Sequence, residues 1–167
     1  MATIREIDVE KLKDQVMDEV ISLQRDIHQH PEIGFDTVRT AALVAEQLRS
    51  VGIDTREQIG KTGVVGDIDV PGATRRIAFR ADMDALPMDE EADLPHKSKI
   101  PGAAHMCGHD AHTAMLVGAA KALLRAPVVL VGAVRNFVLN QRPGVVRLDV
   151  NGHPVLRAAA YVRAARG

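Results

Sequence analysis

The chain has 167 residues, of which 46% are hydrophobic and 26% charged, so it is long enough to bury one core and lacks the composition of a disordered polymer. A formal net charge of −1 gives no reason to expect nucleic acid or an anionic membrane as a partner. The longest apolar stretch, Val128 to Val134 broken by Gly132, falls far short of the roughly 20 residues of a membrane helix.

Met1 to Lys13 carries scattered charges and no apolar run of the signal-peptide kind, so the expected location is cytoplasmic. The single cysteine, Cys107, rules out an intrachain disulfide framework and leaves a free thiol, a metal ligand or a nucleophile. Asp8 is placed to cap a helix whose apolar positions Val9, Leu12, Val16, Val20, Leu23 and Ile27 step by three and four, and Pro31 stops it. A second helix is expected from about Thr37, with Asp36 as its cap, Val38, Ala41, Ala45 and Leu48 on one face, and Gly52 at its C-terminal cap. Gly63 to Val70 and Arg75 to Asp82 read as two strands around Pro71-Gly72-Ala73-Thr74, an antiparallel pair. A polar loop, Asp89 to Gly102, leads through His105-Met106-Cys107-Gly108-His109-Asp110 into a third helix from about His112 to Leu124. Strands alternating with helices indicate an α/β domain.

Composition changes near Ala126. From Pro127 onward there are six arginines, no lysine, no glutamate and one acid, Asp149, a net of about +5 against about −6 for the preceding residues. Val128 to Val134 reads as a strand, Val145 to Val150 alternates toward the hairpin turn Asn151-Gly152, and Arg157 to Arg166 suits a short basic helix. The basic tail has two aromatics, Phe137 and Tyr161, and no nucleic-acid motif.

Three groups of residues carry chemistry. Cys107-Gly108-His109 sets a thiol and an imidazole two residues apart, which in extended chain project to one side and reach one cation. Thiolate with imidazole suits zinc, and carboxylates would admit harder ions such as manganese. Taken alone, such a pair more often means a small buried cysteine beside a partly exposed histidine. Asp82-Met83-Asp84 sets two acids at a C-terminal strand end, where α/β folds gather ligands and where turn-capping aspartates are also common. His28 and His30 lie near the end of the first helix, where the macrodipole favours histidine, and His112 is either a support for His109 or part of the first helical turn.

The runs His30-Pro31-Glu32-Ile33-Gly34-Phe35, Thr62-Gly63-Val64-Val65, Phe79-Arg80-Ala81-Asp82-Met83-Asp84-Ala85-Leu86-Pro87 and His105-Met106-Cys107-Gly108-His109-Asp110-Ala111-His112-Thr113-Ala114-Met115 occur in one order. With them the chain, over about Val9 to Leu124, resembles the amidohydrolase branch of the M20 metallopeptidase family, which includes hippurate hydrolases, N-acetyldiaminopimelate deacetylases and plant auxin-conjugate hydrolases. The resemblance implies an incomplete zinc-exopeptidase-like α/β domain, helices packed on a mixed sheet, and a dinuclear zinc or manganese site. Cys107 and His109 match two of its ligands, Asp82 stands where the wider family has a ligand histidine, and Asp84 matches the catalytic carboxylate that orients the metal centre. The implied partner is a small N-acyl amino acid, with neither nucleic acid nor membrane involved.

In the family a Pro-Ala-Glu-Glu motif supplies the general base and a further ligand, yet residues 127–167 contain no glutamate. The expected organisation is therefore 1–126 as the N-terminal part of the catalytic domain and 127–167 as a divergent arginine-rich tail, whose composition fits a shifted reading frame. The family's later ligand histidines and its homo-oligomerisation domain have no counterpart here. Two functions follow as expectations: a metal-dependent amidohydrolase, weak or inactive as this chain, or a non-catalytic fragment that binds metal weakly or associates with a full-length homologue.

Overall fold

The computed structural model describes residues 8–69, 77–125, 137–139, 148–150 and 153–155. The first expected helix is two: α1 (Val9–Asp14) and α2 (Met17–Gln29), separated at Gln15 and Val16. Asp8 caps α1 as expected, its carboxylate accepting the Lys11 N–H at 3.0 Å. The apolar period runs through the break because Val16 is itself buried there. Spacing alone does not reveal the interruption.

Helix α3 (Val38–Arg49) begins one turn after Pro31, and neither Asp36 nor the N-cap Thr37 caps it with a side chain. The carboxylate of Glu32 does so, accepting the N–H of Arg39 at 2.9 Å and of Thr40 at 2.7 Å. Gly52 follows the helix at φ 81°, the left-handed conformation that ends a helix without steric cost for glycine.

Strands β1 (Asp54–Ile59) and β2 (Gly63–Asp67) form an antiparallel hairpin, with the register broken between Arg56 and Ile59. Strand β1 was not expected from the sequence. Its residues are mostly exposed and polar, as suits a sheet edge, and lack the apolar alternation that marks a strand. Strand β3 (Phe79–Ala81) is not β2's partner as expected. Strand β4 (Phe137–Leu139) lies between them, antiparallel to β2 and parallel to β3, giving a mixed sheet in the order β1-β2-β4-β3. The short Pro-Gly linker invites a hairpin reading, but β2 and β3 are each paired with a strand far along the chain.

Helix α4 (His109–Arg125) starts three residues earlier than expected. Helix α3 packs on β1 and β2, α4 packs on β3 and β4, and α2 lies across α4. Between these elements sit Leu23 and Ile27 of α2, Ala41, Val44, Ala45 and Leu48 of α3, Val64, Ala81 and Met83 of the sheet side, and Ala114, Val117 and Ala120 of α4. Each fully buried large aliphatic contributes on the order of 1.5–3 kcal/mol. The α2–α4 crossing is close enough that a Cβ at Gly118 would stand 2.3 Å from Val20 Cγ2. Beside it the buried Lys121 ammonium is held by Glu19 at 2.6 Å and Gln47 at 2.7 Å.

In the tail, β5 (Leu148–Val150) and β6 (His153–Val155) pair antiparallel with Val150 opposite His153, the hairpin that Asn151-Gly152 signalled. The expected strand Val128 to Val134 and basic helix Arg157 to Arg166 lie outside the described residues. No helix among the described residues is long and apolar enough to cross a membrane.

Candidate metal centre

Strand β3 ends at Ala81, so Asp82, Met83 and Asp84 leave the sheet at its C-terminal edge. Met83, fully buried, points into the core and turns the two flanking aspartates the other way. The chain then continues as a ladder. Ala85 N–H donates to the Glu32 carbonyl at 2.7 Å, and Leu86 exchanges two 3.0 Å backbone bonds with Ala104. This second pairing lays the segment His105 to His109 beside the aspartates. The Pro31-Glu32-Ile33 run, which the sequence could only match to a pattern, thus supports the far side of the same ladder.

Helix α4 opens at His109, preceded by Gly108 at φ 86°. Cys107 and His109 are therefore not an extended i, i+2 pair as the sequence reading assumed. The left-handed glycine makes a tight turn between them, a conformation costly for any other residue. Cys107 is exposed, yet partial shielding of its sulfur is the largest influence on it and pushes the thiol up, with the Asp84 and Asp110 charges adding. Against this, the His109 backbone N–H draws the Cys107 thiol down.

His109 Nδ1 lies 2.8 Å from the Asp84 carbonyl and 3.1 Å from Asp84 Oδ1, both acceptors, so Nδ1 carries the proton. Nε2 stands 3.8 Å from Asp82 Oδ2. The other Asp82 oxygen meets Arg80 Nη2 at 2.5 Å, and its backbone carbonyl accepts from Thr113 at 2.6 Å. Burial pushes the Asp82 carboxyl up; Arg80 and His109 oppose this, and Asp84 adds to it.

A thiol, an imidazole nitrogen with its tautomer fixed from behind, and a carboxylate make a donor set suited to a borderline divalent ion. Among the described residues no group of three or more His, Cys, Asp or Glu side chains is arranged to hold an ion. His109 Nε2 and Asp82 Oδ2, 3.8 Å apart, are the two donors brought together there. His112 stands beside His109 with ring centroids 6.0 Å apart and takes no part in the hydrogen bonds that orient it.

Behind this segment is a buried polar network that sequence reasoning missed. His28 Nδ1 is 2.7 Å from Asp110 Oδ2 and Nε2 is 3.1 Å from Glu90 Oε1, while Gln24 donates to Asp110 at 2.5 Å. Burial works against a charged His28 ring and is the largest single influence, but bonds to Asp110 and Glu90 outweigh it and hold the imidazolium above the usual histidine range. Burial likewise opposes ionised Asp110 and Glu90, and the donors around each prevail and hold both carboxyls down. His105, 3% exposed and with neither ring nitrogen bonded, is pushed down to about 4, chiefly by burial. The helix-dipole account of His28 is thus incomplete: its partners lie 62 and 82 residues away, a separation no local pattern signals.

Known proteins share this frame. Residues 78–134 match Peptidase family M20/M25/M40. The thermostable carboxypeptidase 2 of Saccharolobus solfataricus is 46% identical over 133 residues, 76% of this chain and 33% of that one. The hippurate hydrolase of Campylobacter jejuni is 50% identical over 101 residues, 60% of this chain and 26% of its own length. The crystal structure of the Bacillus subtilis YxeP protein, described as a dinuclear metal binding peptidase from the M20 family, superposes with TM-score 0.67 at 34% identity, covering 75% of this chain and 35% of that one. The chain spans about a third of the length of the curated relatives it matches. Together these matches make the chain similar to proteins of Peptidase family M20/M25/M40 over one part of their length.

Proposed function

We propose that the protein is a metal-dependent amidohydrolase of small N-acyl amino acids, hippurate-like in kind, that Cys107 and His109 hold a zinc or manganese ion, and that Asp84 is the carboxylate that orients it. The observation that carries this reading is the His109 ring, its Nδ1–H given to Asp84 and its Nε2 directed to the side where Asp82 lies. Such an arrangement is the usual support of a metal-ligating histidine. Cys107 and His109 would hold the ion, which would supply Lewis acidity toward an acyl carbonyl and a bound water. Asp84 fixes the tautomer and orientation of the His109 ring, and Gly108 sets the tight turn between Cys107 and His109.

No general base is at hand in residues 127–167, where Asp149 is the only acid. Losing a positioned base costs on the order of 10²–10⁴ in rate. Residues 1–126 are read as the part of the catalytic domain that holds ligands, 127–167 as a divergent tail, and the location as cytoplasmic. The missing glutamate also favours a second reading, a fragment that binds metal weakly or associates with a full-length homologue. Purified chain is to be assayed on hippurate and other N-acyl amino acids with zinc or manganese added. Metal binding that needs Cys107, with turnover near background, is the expected result. Substantial turnover that survives Cys107→Ser would place the chemistry at another site.

A further inference from the structure

The polar network behind the Cys107–His109 segment contains none of the candidate ligands, and His28, Glu90 and Asp110 are all buried. Helix α2 contributes Gln24 and His28, the loop after β3 contributes Glu90, and α4 contributes Asp110, the residue directly after His109. Glu90 is itself tied down, its second oxygen accepting the Ser98 N–H at 2.7 Å. Side chains of His28, Glu90 and Asp110 are 10%, 1% and 3% exposed. A network this costly to desolvate holds its members in one geometry once all are satisfied.

We infer that His28, clamped between Glu90 and Asp110, is a positioning residue for the Cys107–His109 segment, so that metal affinity is set in part by a helix that carries no ligand. The geometry supports this at both ends. Asp110 fixes the first turn of α4, whose first residue is His109, and this end of the network faces α2 while the His109 ring faces Asp84. Glu90 fixes the loop that begins just beyond Leu86, and Leu86 is the partner of Ala104 in the ladder beneath Cys107. Without His28 two buried carboxylates lose their shared cation, and both strands of that frame are free to shift. Ligand geometry is sensitive to such displacement, and partners behind metal ligands typically govern 10–100-fold in affinity.

The inference rests on metal binding at Cys107 and His109, and the experiment separates the two. Cobalt(II) is titrated anaerobically into the 167-residue chain, its Kd read from the thiolate-to-cobalt charge-transfer band, with thermal unfolding recorded for every variant. The variants are His28→Gln, Glu90→Gln and, as a control from the same helix, the core substitution Leu23→Ala. His28→Gln and Glu90→Gln are expected to weaken cobalt binding about tenfold or more below their unfolding temperatures. Leu23→Ala is expected to lower the unfolding temperature and leave Kd within about twofold, since it removes packing without touching the network. Equal weakening by Leu23→Ala, or unchanged Kd in both network variants, overturns the inference: the network would then serve stability alone. Should His28→Gln not fold, Glu90→Gln carries the test by itself. A wild-type chain with no band abolished by Cys107→Ser would instead overturn the metal reading beneath it.

Discussion

Replacing Asp84 by alanine removes one of two acceptors of the His109 Nδ1–H, the carboxylate oxygen at 3.1 Å, and leaves the other, residue 84's own carbonyl at 2.8 Å. Removing the partner of a metal-ligating histidine typically costs 10–100-fold in affinity. Here the shorter of the two bonds survives and keeps the ring in the same tautomer, so the loss belongs at the lower end, about tenfold or ~1.4 kcal/mol. Asp84→Asn retains an oxygen at the same place but loses its charge, and a neutral acceptor is roughly half as strong, which sets its loss at about threefold. Zinc competition against a chromophoric chelator at fixed pH measures both, with thermal unfolding alongside to show that the fold persists. Unchanged affinity in Asp84→Ala, or an equal loss in both variants, would refute this account of how His109 is oriented.

Gly118→Ala forces a Cβ to 2.3 Å from Val20 Cγ2, and a helical valine has essentially one χ1 rotamer with which to respond. Overpacking of about 1–3 kcal/mol, less about 1 kcal/mol of helix propensity, leaves a net loss in urea denaturation; adding Val20→Ala should recover part of it, and simple additivity of the two would count against the close α2–α4 crossing. The network around His28 makes stability pH-dependent with a definite sign. His28's raised pKa contributes stability present below about 6.5 and lost as pH rises through its folded value, while the lowered Asp110 and Glu90 contribute above their ordinary carboxylate values and lose this as pH falls. His96 and His105 also face the ring and are common to both chains compared. The stability gap between wild type and His28→Gln should therefore be widest near pH 6 and shrink toward pH 9; a gap that widens with pH contradicts a charged His28.

Local patterns in the sequence were enough to locate α3, α4 and the strand that ends before Asp82, because each has apolar spacing or a terminating acid or glycine. Cys107, His109 and Asp84 were legible as one candidate site only because several linked runs occur together; a thiol two residues from an imidazole is by itself ambiguous. The strand order was not legible. A short Pro-Gly linker argues for a hairpin, whereas β2 and β3 are separated by β4, and the pairing energy that decides this depends on residues more than 50 positions apart. The partners of His28 were not legible for the same reason: its position near a helix end has a sufficient local explanation, and Glu90 and Asp110 come from a loop and a helix far along the chain.

The central claim is that Cys107 and His109 bind one divalent ion together. X-ray absorption at the zinc edge on the chain loaded with one equivalent tests it most directly. One sulfur at about 2.3 Å with nitrogen or oxygen at about 2.0–2.1 Å is the predicted shell, the sulfur vanishing in Cys107→Ser and the imidazole scattering weakening in His109→Ala. A shell of nitrogen and oxygen alone in the wild-type chain, or one indifferent to both substitutions, would contradict it.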